Sequence, residues 1–277
     1  MRMKLRLLSL LLVAFVTSAM AGEKSDCRVV EELLRAARNL PAQTNRMLYF
    51  GKELMGTPYV ANTLETEGEE RLVVNLRQMD CMTFVENVLA LTVCDRKGMR
   101  SYEDFCEVLK SIRYRDGKID GYASRLHYFS DWMDNNTEHE RLVERTRAVC
   151  DVQCRKLSLD YMSTHSEAYP VLKDNSKLVE VIRKQERKEY CMYYIPKHLL
   201  DLPRRSLKVK DGDIIALTTN IKGQDVVHLG IACWVEGKLH LLHASMKEKQ
   251  VILDKQTLFD YMAPRKSQLG IRVASVL

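Results

Sequence analysis

Three residues far apart in the chain have the types that acyl transfer requires: Cys81, His228 and His243. A thiol attacks a carbonyl only as thiolate, and a helix N-terminus favours that form because its unpaired N–H groups and dipole stabilise negative charge. Cys81 follows the irregular "RQMD" (77–80) and opens "CMTFVENVLALTVC", an apolar run that reads as a buried helix. Position alone favours a packed core thiol. The histidines shift that balance. His228 lies in "VVHLGIACWV" (226–235) and His243 in "KLHLLHAS" (238–245), strand-like segments joined at Glu236-Gly237 by a tight turn. Paired antiparallel strands can set the two imidazoles together, one accepting a proton and the other orienting it. Nucleophile, base and orienter are the three parts of a cysteine acyl-transfer site. His240 stands three positions from His243, so strand alternation turns it to the opposite face. His139, His165 and His198 sit in polar or irregular segments and receive no role.

The elements that must hold these residues change period midway. "DCRVVEELLRAARNL", with Asp26 as a cap, and "QTNRMLYFGKELMG", stopped by Gly56 and Pro58, read as helices. Residues 57–80 are an irregular connection. "SYEDFCEVLKSIRY" opens with a capping-box pattern, Ser101 three residues before Asp104. Strand-like "GDIIALTT" (212–219) and "IRVASV" (271–276) flank the hairpin. Helices first and an antiparallel sheet later define an α+β fold, expected as a single domain over 22–277. Residues 113–205 have no clear period and are read as a large insertion containing a short aromatic helix, "RLHYFSDWMDN".

Residues 1–21 read as a secretory signal peptide: Arg2, Lys4 and Arg6 precede an apolar run, and small residues end at Ala21. The run is too short for a comfortable membrane span, and no later segment is longer, so the mature chain is expected without an integral span. Export to the periplasm or the exterior follows. Loss of the segment leaves 40 basic against 37 acidic residues, a formal +3, too mild for a nucleic-acid surface. Eight cysteines in 277 residues are sparse for a disulfide scaffold, and Cys94, Cys106 and Cys233 lie in apolar runs. Cys150 and Cys154 lack a companion CxxC pair, so no metal site and no cofactor are expected.

"MGTPYV" (55–60), "DCMTFVE" (80–86), "HLGIA" (228–232) and "HAS" (243–245), in that order, resemble the signature of NlpC-type cysteine peptidases and amidases of the bacterial cell wall. The resemblance implies a papain-like core, with a nucleophile helix packed on an antiparallel sheet that carries both histidines. It also implies Cys81 as nucleophile, His228 as base, His243 as the third member and Tyr59 lining the site. The chain departs from the common pattern at Met82-Thr83, at "VANTLE" after Tyr59, and in the 147 residues between nucleophile and base. These departures, with "RLHYFSDWM" (125–133), resemble the N-acetylmuramoyl-L-alanine amidase-like branch of Bacteroides-type bacteria.

That branch implies cleavage of muropeptides between the lactyl group of muramic acid and L-alanine, with preference for 1,6-anhydro forms; the chain is expected as a monomer whose partners are such muropeptides. A stem-peptide endopeptidase of the same fold and a non-catalytic muropeptide-binding protein are the competing readings. Arg125, His127, Tyr128, Asp131 and Trp132 are substrate-cleft candidates by resemblance, although an aromatic stripe at helical spacing also suits a core. Asp80 is a candidate for capping the nucleophile helix and for the substrate rim. Glu86, one turn further, suits a buried hydrogen-bonding partner.

Overall fold

The computed structural model describes residues 25–66, 68–149, 151–187 and 189–277; the expected signal segment and Cys150 lie outside them. The helical half comprises α1 (25–37), α2 (Arg46–Glu53), α3 (Cys81–Arg96), α4 (Tyr102–Arg113) and α5 (Phe129–Glu138). Strands β1 (Leu142–Glu144), β2 (Gln153–Leu157) and β3 (Tyr190–Pro196) follow, with short helices α6 (Thr146–Val149), α7 (Tyr161–Thr164) and α8 (Ser176–Gln185) among them. After α9 (Arg204–Leu207) come β4 (Ile214–Thr219), β5 (Val226–Val235), β6 (Lys238–Ser245), β7 (Gln250–Leu253), α10 (Leu258–Met262) and β8 (Gln268–Val276). The strands join antiparallel in the order β2-β3-β8-β4-β5-β6-β7, and β1 pairs with β8. The fold is α+β, as the change of period predicts.

The region read as an insertion therefore extends the sheet. β3 pairs with β8 through Ile195 opposite Ile271, and a Cys154–Cys191 disulfide ties β2 to β3. This pair is one the sequence did not single out. The segment also has its own small core, in which Tyr128, Leu157, Leu159, Met162 and Ile182 pack together.

The sheet is covered on both faces. Leu229, Ile231, Leu242 and Ala244 pack on the helical half, whereas Ala232, Leu239 and Leu241 pack with Leu258 and Met262 of α10. α3 is the central helix of the first layer. Every residue from Thr83 to Cys94 is buried, as expected for a helix apolar all round. Its one buried charge, Glu86, meets Arg113 of α4 at 2.7 Å, both side chains 2% exposed. Burial raises the Glu86 carboxyl, and Arg113 opposes the shift.

Replacing Arg113 by Leu leaves that carboxylate buried without a partner. The expected cost is about 3–5 kcal/mol at neutral pH. The loss shrinks as pH falls, because the orphaned carboxyl takes up a proton in the folded state before it does in the unfolded chain. Urea unfolding of the variant at neutral and mildly acid pH checks both statements.

Candidate active site

Cys81 is the first residue of α3 and Asp80 is its N-cap. The Thr83 N–H donates to the Asp80 carboxylate at 2.8 Å, and the Asp80 N–H donates to the Thr83 hydroxyl at 2.9 Å. This capping box fixes how the chain enters the helix. Burial and the Asp80 charge push the Cys81 thiol up to about 12, while N–H groups of Leu229, Cys81 and Met82 bond the sulfur and pull the other way. Burial first, and then charge at Cys81 and Asp80, push the Tyr59 phenol up to about 12 as well. Tyr59 is anchored through its N–H, which donates to Lys249 O at 2.8 Å.

The Leu229 N–H is free for the thiol because of sheet geometry. Ala232 N–H donates to Asp213 O at 2.8 Å, so alternation along β5 turns the Leu229 N–H toward β6. β6 pairs with β5 only from Ile231 onward. On the other side the register slips: Leu217 pairs with His228 and Thr218 with Val226, so Val227 is bulged. Such a bulge bends the strand and re-aims the neighbouring side chain, here His228.

Ile231 pairs with Leu242, and continuing that register sets His243 beside Gly230, one diagonal step from His228. The imidazoles meet edge to face at 84°, with His228 Nε2 2.6 Å from His243 Nδ1. Gly230 lets β6 come close, since a Cβ there would lie 2.7 Å from the Leu241 side chain and 2.9 Å from Leu242 O. Burial, then the neighbouring His243 and Arg265, push His228 down to about 3, against the opposing pull of Asp254. Thiol held high and imidazole held low make a neutral pair at pH 7, in which the imidazole can take the thiol proton once an electrophile arrives.

Sequence reasoning missed Asp254 and Tyr261. His243 is 1% exposed, and its Nε2 faces Asp254 Oδ2 at 3.4 Å without a hydrogen bond. Tyr261 of α10 packs on both rings, 6.3 Å from His228 and 5.7 Å from His243 between centroids. The Arg265 guanidinium covers Tyr261 at 3.7 Å. The available signal for both was a second return of the chain after "HAS", through the four-residue strand β7, too short to stand out by pattern.

Two cavities flank the centre. One, of about 260 Å³, is lined by Cys81, Met82 and Val226 to Leu229 on one wall, and by His127, Tyr128, Phe129, Tyr161, Met162 and Tyr169 on the other. The second, of about 400 Å³, contains Asp254, Tyr261, Lys247, Lys255 and Arg265. Asp225 joins the walls of the first: its carboxylate accepts the Ser130 N–H of α5 at 2.7 Å.

Of the cleft candidates, His127 and Tyr128 line the thiol's cavity. His127 Nε2–H donates to Tyr122 O at 2.9 Å, and burial with the nearby Arg125 pushes the ring down to about 3. Tyr128 donates to Glu186 at 2.9 Å and accepts the Met162 N–H at 2.9 Å, tying α5 to α7 and α8. Arg125 and Asp131 do not line that cavity but share a small adjoining pocket with His127 and Tyr128, and Trp132 stands in the core. Arg125 is buried between Glu65 at 3.1 Å and Glu70 at 3.5 Å. Asp131 is paired with Arg187 at 2.8 Å and Arg115 at 3.6 Å. Trp132, fully buried, packs 5.6 Å from Phe129 in the main core, so for this residue the aromatic stripe is core. Among the described residues no group of three or more His, Cys, Asp or Glu side chains could hold a metal ion, and no helix is long and apolar enough to cross a membrane.

Solved bacterial structures share this fold. A Bacteroides uniformis N-acetylmuramoyl-L-alanine amidase is 41% identical with a TM-score of 0.79, covering 84% of this chain and 99% of its own. A Bacteroides fragilis protein solved under a provisional xylanase name is 46% identical with a TM-score of 0.76, covering 81% and 97%. A Legionella pneumophila protein, 22% identical with a TM-score of 0.75 over 93% and 96% of the two chains, shares the fold. No curated protein matches the sequence. These likenesses place the molecule among the cell-wall amidase-like hydrolases. The chain belongs to the AmiA-like, N-acetylmuramoyl-L-alanine amidase-like family, whose model matches residues 49–271.

Asp80→Asn tests the electrostatics of the thiol. Asparagine caps a helix about as well as aspartate, and the substitution removes a charge that raises Cys81. The pH profile of Cys81 alkylation by iodoacetamide is expected to move to lower pH, with the melting temperature little changed. An unmoved profile would mean that burial alone holds the thiol protonated.

Proposed function

We propose that this protein is an exported cysteine amidase that hydrolyses the bond between the muramoyl lactyl group and L-alanine of muropeptides, preferring soluble 1,6-anhydro forms. The observation that carries this reading is the thiol at the first position of α3, in one cavity with His228 of the bonded pair His228 and His243, together with membership of the amidase-like family. The order of the motifs supports a papain-like, NlpC-type ancestry.

His228 Nε2 is occupied by His243, which leaves Nδ1 to draw the proton from Cys81. The thiolate attacks the lactyl carbonyl, the Cys81 N–H helps bind the oxyanion, and protonated His228 hands its proton to the departing amine of L-alanine. Water then hydrolyses the thioester, with His228 again as base. The aromatic cavity walled by Tyr128, Tyr161 and Tyr169 suits a sugar ring, and the cavity with Lys247, Lys255 and Arg265 suits the carboxylates of the stem peptide. A sugar in one cavity and a peptide in the other is the division that cleavage at their junction calls for, and it supports the amidase reading over an endopeptidase.

Digestion of an anhydro-muropeptide followed by mass spectrometry tests the reading. Free intact peptide plus sugar is the expected outcome, and a split peptide would replace it with the endopeptidase. Cys81→Ala is expected to abolish turnover; a variant that still turns over every muropeptide leaves the thiol without its catalytic role. The pH dependence has a definite sign. A base depressed below its ordinary 6.5 stays neutral and competent as pH falls, so kcat/KM is expected to hold level from neutrality to about pH 5 and to decline only in more acid solution.

A further inference from the structure

The geometry points to Asp254 as a positioning residue that fixes the tautomer of His243 and, through it, leaves the Nδ1 of His228 unprotonated and able to act as base. This inference rests on the catalytic reading of Cys81 and His228, but the proton's location can be measured without any substrate.

The contact between His228 Nε2 and His243 Nδ1, 2.6 Å long, needs one proton. If His228 donates, its Nδ1 is bare. If His243 donates, neutral His228 carries its proton on Nδ1 and cannot accept one from a thiol. Nothing in the contact itself selects between these arrangements. The selection comes from the far side of His243, where Nε2 is buried without a hydrogen bond and faces Asp254 Oδ2 at 3.4 Å. A carboxylate only accepts, so it favours the proton on Nε2, which leaves His243 Nδ1 as acceptor and His228 as donor.

Asp254 is held for this task on every other polar atom. Its N–H donates to Leu241 O at 2.9 Å, its carbonyl accepts His240 Nδ1–H at 3.0 Å, and Oδ1 accepts the Gln256 N–H at 2.9 Å. Oδ2 alone is left for His243. His240, turned to the other face of β6 as alternation requires, thus braces the loop that carries the carboxylate. Burial raises the Asp254 carboxyl, but His243, the Gln256 N–H and Lys247 outweigh it and hold it below the ordinary carboxylate range. The remaining groups facing the relay are Arg265, which bears on His228, and the Tyr261 ring against both imidazoles.

Asparagine and alanine at position 254 separate positioning from packing. Asp254→Asn keeps the shape, but its amide can donate to His243 Nε2, which stabilises the wrong tautomer. Asp254→Ala leaves His243 free to adopt either. The expected order is therefore the reverse of structural mildness: Asn loses about 10²-fold or more in kcat with KM little changed, Ala loses less, and Asp254→Glu recovers part of the activity. Nitrogen-15 spectra of labelled histidine are expected to show His228 protonated on Nε2 in the native protein and on Nδ1 in Asp254→Asn. A folded Asn variant as active as the Ala variant, or more so, overturns the proposal. So does native His228 protonated on Nδ1, a measurement that needs neither a variant nor a substrate. Failure of the amidase assignment would instead appear as native protein inert toward muropeptides with the tautomers as described.

Discussion

The site depends on one unpaired donor in the sheet. The Leu229 N–H would be spent on a neighbouring strand if β6 ran alongside β5 to its start; because pairing begins at Ile231, the donor is left to the Cys81 sulfur. The end of α3 can then come against the sheet beside His228 while α3 packs on one face and the imidazoles lie on the other with Tyr261. Cys81 and His228 thus line one cavity at the edge of a ladder rather than across its face. The Val227 bulge and the side-chain-free Gly230 serve the same end, by bending β5 and letting β6 approach closely at Leu241 and Leu242.

Much of this was legible in the sequence, and for identifiable reasons. Asp80 and Ser101 announce helix starts through capping chemistry, which is local. The segments 226–235 and 238–245 are long, apolar and joined by a turn residue pair, so the hairpin and both histidines fall where the pattern puts them. What escaped depends on partners distant in the chain. β2 and β7 are short and lie at the two edges of the sheet, β2 largely exposed and β7 mostly half-buried, so burial imposes little pattern on them. β3 closes on Pro196, a residue that argues against a strand when read alone. Asp254 follows β7 directly, so its place beside His243 is readable only once the β6–β7 register is known.

Aromatic and charged residues in 125–132 were the hardest to assign, because their periodicity suits a core and a ligand surface alike. The structure divides them. His127 and Tyr128 face the thiol's cavity, Arg125 and Asp131 neutralise charges in the surrounding frame, and Trp132 fills the interior. Helical spacing sets which side chains share a face, but what that face meets is decided by the loop and strands brought against it.

Asp225 bears on how such a molecule can change over generations. Its carboxylate holds the first turn of α5, 95 residues away in sequence, while three positions further along the chain, in β5, stands His228. Remodelling the pocket wall would therefore disturb the strand that carries the histidine unless the loop at 220–225 altered with it. The two segments form one heritable unit, which Tyr161 joins through its N–H to Gly223 O at 3.3 Å, leaving Tyr169 as a lining tyrosine outside those bonds.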